Sequence, residues 1–203
     1  MKRIKIIALA LSTIIAFSML TGCGAKSETS ARDGSAAATQ SQSQNGSSAS
    51  SSGNLKTFKA DTLAGDSFTQ DNFAKKDITV INFWSLECGP CVDELPGIAK
   101  FSKTLPDNVQ LITVNLDGDD KATESAVREE LKKAGFDGTT LIGGDGDLKT
   151  FVSKIQYTPT TILVDKDGNT LGDGIVGSPS DLAKAYTDAI NSALKSIGKA
   201  ELK

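Results

Sequence analysis

No histidine occurs anywhere in the 203 residues. That absence removes a Ser-His or Cys-His catalytic pair, and any His-ligated metal site, from consideration. Basic stripes are missing too. The 22 Lys/Arg and 25 Asp/Glu are interspersed and leave a net charge of −3, so neither a nucleic-acid footprint nor a polybasic membrane patch is indicated. No apolar run reaches the roughly 20 residues of a membrane-spanning helix; Ile6 to Leu20 is about fifteen long. Cysteine is scarce, at Cys23, Cys88 and Cys91 only. Two cysteines and no histidine in the globular part cannot complete a four-ligand zinc site. A hydrophobic content of 38% suits one ordinary domain with appendages.

What is present centres on Ile78 to Pro96, ITVINFWSLECGPCVDELP. Its first seven residues are β-branched, aromatic and uncharged, the pattern of a buried central strand. Cys88-Gly89-Pro90-Cys91 follows at the start of an acidic, helix-compatible segment. A helix N-terminus offers unpaired N–H groups and a positive dipole end, both of which favour a thiolate. The i, i+3 spacing exposes Cys88 at the first turn and sets Cys91 one turn deeper, close enough for a disulfide.

At the N-terminus Lys2, Arg3 and Lys5 precede the short apolar run, as in a signal peptide. The run ends in Leu20-Thr21-Gly22-Cys23, which resembles the bacterial lipobox. That resemblance implies lipidation of Cys23 and cleavage before it, with an uncleaved signal-anchor helix as the alternative. Removing residues 1–22 takes three positive charges and no negative ones, moving the net charge from −3 to −6. Gly24 to Asn54 is rich in Ser, Ala, Gly and Gln and reads as a disordered tether; a flexible coil of this length spans roughly 30 Å. The expected organisation is therefore a leader at 1–22, lipidated Cys23 with a tether to residue 54, and a folded domain over 55–203.

Within that domain, Leu55–Lys59 and Asp66–Phe68 are short strand candidates around a turn at Ala64–Asp66, followed by a brief helix over Thr69–Lys75. Strands are expected at Ile78–Trp84 and Val109–Asn115. Helices are expected from Gly89 to about Lys103, with Pro96 inside, and over Thr123–Ala134, with Gly135 as C-cap. A short segment at Thr139–Ile142 precedes a helix at Leu148–Ile155. Thr160–Asp165 and Thr170–Val176 flank Lys166-Asp167-Gly168-Asn169 as an antiparallel hairpin. The closing helix is placed at Pro179 to about Ser196, with Ser178 as N-cap. This order predicts an α/β fold with a central mixed sheet flanked by helices.

Asn82-Phe83-Trp84, Cys88-Gly89-Pro90-Cys91, Glu94, Pro96 and Thr158-Pro159-Thr160 stand in the order found in the thioredoxin fold. Within it they resemble the membrane-anchored TlpA/ResA-like thiol-disulfide oxidoreductases, over roughly Leu55 to Ser196. The resemblance implies an N-terminal strand extension and, at Thr123–Ala134, an inserted helix. It also implies a redox disulfide Cys88–Cys91 with Cys88 as attacking thiolate and Cys91 as resolving thiol. The family likeness implies that Glu94 takes the proton of Cys91, with Asn82 standing where thioredoxins proper carry a buried Asp. Pro159 is implied to be cis, completing a catalytic set of Cys88, Cys91, Glu94 and Pro159. Gly89, Pro90, Thr158 and Trp84 are the implied substrate-binding rim, with Phe83 and Trp84 also serving as core and site wall. No cofactor and no metal are implied.

Glu87 departs from the family pattern, which has an aromatic residue before the first cysteine. A carboxylate there opposes thiolate formation at Cys88 and so favours the disulfide over the dithiol. The resulting expectation is an extracytoplasmic lipoprotein, monomeric, held to the bilayer by its acyl anchor. It reduces disulfides in exported proteins with electrons from a membrane thiol carrier of the CcdA/DsbD type. Apocytochrome c, oxidised surface proteins and methionine sulfoxide reductases are the family's targets, and the sequence selects none. An oxidase that introduces disulfides is the alternative in an oxidising compartment, and a non-enzymatic binding lipoprotein is a further one. A structural disulfide is a poor alternative, since closing so short a loop adds little stability. Copper-delivery proteins of related fold need C-x-x-x-C and a His, both lacking here. A peroxidase needs a Thr just before its cysteine, where Ser85 is a weak substitute.

Overall fold

The computed structural model describes residues 53–202. The expected leader, Cys23 and the tether as far as residue 52 lie outside the described residues. The chain forms β1 (Lys59–Thr62), β2 (Ser67–Thr69), a 3-10 helix (Gln70–Lys75), β3 (Ile78–Trp84), α1 (Gly89–Ser102), β4 (Val109–Asn115) and α2 (Lys121–Ala134). It continues through β5 (Thr140–Ile142), α3 (Gly146–Val152), β6 (Thr160–Asp165), β7 (Thr170–Val176) and α4 (Leu182–Ser196). No helix among the described residues is long and apolar enough to cross a membrane.

The seven strands make one mixed sheet in the order β2-β1-β5-β4-β3-β6-β7. β3, β4 and β5 run parallel, as helical crossovers require. β6, β7 and the β1–β2 hairpin are antiparallel additions. β3–α1–β4 followed by β6–β7–α4 is the expected thioredoxin arrangement, with β1–β2 as the N-terminal extension and α2 as the insert.

Alternation along β3 decides which face each residue serves. Ile78, Val80 and Trp84 pack with Cys91, Leu95 and Ile98 of α1 and with Tyr186 and Ile190 of α4. Ile81 and Phe83 pack on the other face with Phe58, Phe73, Leu148 and Phe151. All seven positions of β3 are buried. Asn82 belongs to the α1/α4 face and is the polar interruption in an apolar row.

Several boundaries differ from the sequence expectation, each for a local reason. The first strand begins at Lys59 rather than Leu55. The backbone before it bonds elsewhere: Leu55 donates to the Gly168 carbonyl (2.7 Å), and Lys56 and Thr57 donate to the Asp147 carboxylate (2.9 and 2.8 Å). Thr139–Ile142 proves to be a true strand from Thr140, wedged between β4 and β1. α2 starts two residues early because the Asp120 carboxylate caps the N–H groups of Ala122 and Thr123 (3.0 and 3.1 Å). It ends as expected on Gly135, in the left-handed conformation at φ 72°. α3 runs two residues earlier than expected and stops at Val152. α4 begins at Leu182 and not at Pro179, since Asp181 accepts from the Lys184 N–H (3.0 Å) and takes the capping role expected of Ser178.

Candidate active site

β3 ends at Trp84, and the loop Ser85–Glu87 leads into α1. Cys88 is the N-cap of α1, and Pro90 lies in the first turn, where its missing N–H costs nothing. Cys88 and Cys91 are joined in a disulfide. Their exposures differ: Cys88 is half-buried at the helix start, whereas Cys91 has none of its surface exposed. The Cys91 N–H points at the Cys88 sulfur from 3.2 Å. Once the disulfide opens, that donor and the helix N-terminus both stabilise a Cys88 thiolate.

Across from α1, the bond Thr158–Pro159 is cis. The Thr158 carbonyl oxygen lies 3.4 Å from the Cys88 sulfur. Pro159 is buried, and its carbonyl accepts from the Gly177 N–H (2.8 Å), which ties the loop to the end of β7. The disulfide, Thr158 and Pro159 therefore form one patch. Gly89 and Pro90 are exposed beside it and Thr158 is half-buried. Trp84 has no exposed surface, so of the four expected rim residues it alone can offer a substrate nothing; it is a wall behind the cysteines. Its indole N–H has no hydrogen-bond partner. Glu87 is exposed, and solvent screens its charge.

Beneath the disulfide lies a buried polar cluster. Glu94, three residues past Cys91 and so one turn along the same helix face, is 6% exposed. Its Oε1 accepts from Asn82 Nδ2 at 2.9 Å, while its Oε2 has no hydrogen-bond partner. Burial raises the proton affinity of this carboxyl above the ordinary Glu value. The Asn82 amide and the neighbouring Ser178 hydroxyl lean against the shift without reversing it. Ser178 falls short of hydrogen-bond geometry. Asn82 Nδ2 also approaches Thr161 Oγ1 (3.0 Å) and Tyr186 OH (3.3 Å), and those two hydroxyls share a hydrogen bond of 2.8 Å. Asn82 Oδ1 is unpaired.

The structure thus gathers the expected Cys88, Cys91, Glu94 and Pro159. Thr161 and Tyr186 were not foreseen. A signal for Thr161 was present: Asn82, a polar residue in an otherwise apolar strand, needs a partner, and Thr161 is its register neighbour on β6. Tyr186, an ordinary core residue on an amphipathic helix by pattern, carried none. The cluster can hold a proton next to the inner cysteine. Among the described residues, no group of three or more Cys, Asp or Glu side chains is placed to hold a metal ion.

A family model described as redoxin matches residues 47–189, which include every residue of this site. The thioredoxin-like protein YneN of Bacillus subtilis is 31% identical over 112 residues, 55% of this chain and 63% of YneN. The chain thus spans a little under two thirds of that relative. Sporulation thiol-disulfide oxidoreductase A of the same organism is 26% identical over 132 residues, 64% of this chain and 78% of the relative. Among solved structures, MTB DsbF in its mixed oxidized and reduced forms is 26% identical with a TM-score of 0.53, covering 66% of this chain and 96% of that one.

Proposed function

The chain belongs to the redoxin family, and from that premise we propose that it is an extracytoplasmic thiol-disulfide oxidoreductase that reduces disulfides in exported proteins. One observation carries the reading: a half-buried sulfur at a helix N-terminus is bonded to a fully buried one. An incoming disulfide can reach Cys88 and not Cys91, which separates attack from resolution.

In the reduced protein the Cys88 thiolate attacks one sulfur of the substrate disulfide, and the other sulfur leaves with the electron pair. Cys91 then gives its proton to Glu94, and the new thiolate attacks the Cys88 sulfur. The mixed disulfide breaks, the second substrate sulfur leaves, and Glu94 returns the proton to it. Two electrons and the Cys91 proton have moved to the substrate, the first leaving thiolate takes its proton from solvent, and Cys88–Cys91 is closed. A membrane thiol carrier reopens it. Thr158 and the exposed Gly89 and Pro90 border the path of the incoming peptide, and Pro159 fixes the loop that presents Thr158.

Support for the reducing direction is electrostatic. Glu87 beside Cys88, and the Thr158 carbonyl oxygen against its sulfur, both disfavour the thiolate and so favour the closed disulfide. The Cys91 N–H and the N-terminus of α1 act the other way. Location follows from the lipobox-like Leu20–Cys23, which implies an acyl anchor on the outer face of the membrane.

The Cys91→Ser variant, reduced and mixed with insulin, tests the assignment. It should accumulate a mixed disulfide through Cys88, visible as a mass adduct that dithiothreitol removes. The Cys88→Ser variant should form none. Equal trapping by both variants would reject the assignment of attacking and resolving roles.

A further inference from the structure

We propose that Tyr186 and Thr161 are positioning residues: their paired hydroxyls hold the Asn82 amide with its N–H edge toward Glu94, and so govern how readily Glu94 accepts the Cys91 proton. The proposal rests on the reading of Glu94 as the proton acceptor in the exchange.

Asn82 sits at the centre of three elements. It projects from β3 toward α1, where Glu94 Oε1 is 2.9 Å from Nδ2. Thr161 faces it from β6, as its register partner, at 3.0 Å. Tyr186 reaches it from α4 at 3.3 Å. An amide nitrogen has two hydrogens. One serves Glu94, and the other has only the hydroxyl pair to receive it. That pair is itself closed by a 2.8 Å bond, so neither oxygen is free to turn away. All four side chains are buried, Asn82 entirely so and Tyr186 to 1% exposure.

The alternative amide orientation would bring Asn82 Oδ1 to Glu94. An ionised carboxylate facing that oxygen is disfavoured, so this orientation holds Glu94 protonated and unable to take a further proton. The hydroxyl pair favours the orientation seen, by accepting the second N–H. Remove one hydroxyl and the second N–H keeps a single acceptor that has lost the hydrogen bond fixing it in place, which weakens the preference.

The groups around Glu94 are few. On its own helix there is Cys91; β3 contributes Asn82, β6 Thr161, α4 Tyr186, and the segment before α4 Ser178. With the disulfide closed, Tyr186 alone among them is titratable. Burial, and then the charge of Glu94, hold the Tyr186 proton more tightly than in an ordinary phenol, so it remains a neutral hydroxyl.

Tyr186→Phe and Thr161→Val remove one hydroxyl each. In the oxidised full chain, the titration of the Glu94 carboxyl is followed by carbon-13 NMR, with Glu94→Gln identifying the resonance. Both variants should titrate at higher pH than wild type, with Asn82→Ala showing the effect of removing the amide itself. In turnover with insulin, each should resolve the mixed disulfide about tenfold more slowly at pH 7, the worth of one hydrogen bond. The rate should recover as pH rises through the displaced midpoint. A merely structural role would lower the melting temperature and leave the midpoint where it was. An unchanged midpoint in either folded variant overturns the proposal. Displaced midpoints in the two variants, with a wild-type protein that fails to exchange disulfides, would retain the positioning claim and reject the reading of function beneath it.

Discussion

Asn82 on β3 and Glu94 on α1, one helical turn past Cys91, meet across 2.9 Å in the core. The pairing leaves the second carboxyl oxygen of Glu94 without a partner. Burial of a carboxylate so incompletely satisfied costs stability whenever it is ionised. The protein keeps an expensive group beside its inner cysteine.

That cost gives a pH prediction. Burial raises the folded-state proton affinity of Glu94 above its unfolded value. Below the ordinary Glu range both states hold the proton and nothing is lost. As pH rises the unfolded chain releases it first, and stability falls until the folded form also ionises. Each tenfold difference in affinity is worth about 1.4 kcal/mol. Urea denaturation of the oxidised protein between pH 4 and 8 should show Glu94→Gln gaining on wild type as pH rises. Parallel profiles would contradict the buried, proton-retaining Glu94.

The same substitution should slow turnover. Glutamine keeps the shape and cannot carry a proton. Release of the mixed disulfide should slow by about 100-fold at pH 7, while its formation by Cys88 should be unaffected. Stopped-flow thiol release separates the two phases, and a loss confined to the first phase would point to Cys88 instead.

Glu87 is exposed, and an exposed charge acts weakly through solvent. The Glu87→Gln variant should therefore raise the reduction potential only slightly, on the order of 10 mV, and the difference should shrink in high salt. A larger, salt-independent change would mean that Glu87 acts through a specific contact.

At Gly168 a backbone requirement can be tested alone. Its φ is 74°, and a Cβ there would collide with the Leu55 carbonyl oxygen. The Leu55 N–H in turn donates to the Gly168 carbonyl. Gly168→Ala should destabilise the protein by about 2 kcal/mol without altering Cys88 reactivity, measured by denaturation beside an insulin assay.

β3, β4 and the β6–β7 hairpin were legible in the sequence residue for residue, because a buried strand must be a continuous apolar run and Lys166–Asn169 is a turn by composition. Helix and strand starts were less legible. Asp120 and Asp181 cap the starts of α2 and α4. The Asp145 and Asp147 carboxylates take backbone N–H groups of Lys59, Lys56 and Thr57 around the start of β1, and many acids in this chain compete for such roles. The cysteine pair, Glu94 and Pro159 could be placed from spacing and family likeness. The Thr161–Tyr186 pair could not, since a Tyr 104 residues from Asn82 meets it only through the packing of α4 on the sheet.

The reducing direction stands or falls on the reduction potential of the Cys88/Cys91 couple, equilibrated with dithiothreitol or glutathione buffers. A reductase should lie near or below thioredoxin, about −270 mV. A value close to that of a DsbA-type oxidant, about −120 mV, would contradict the reducing direction and make the protein a donor of disulfides.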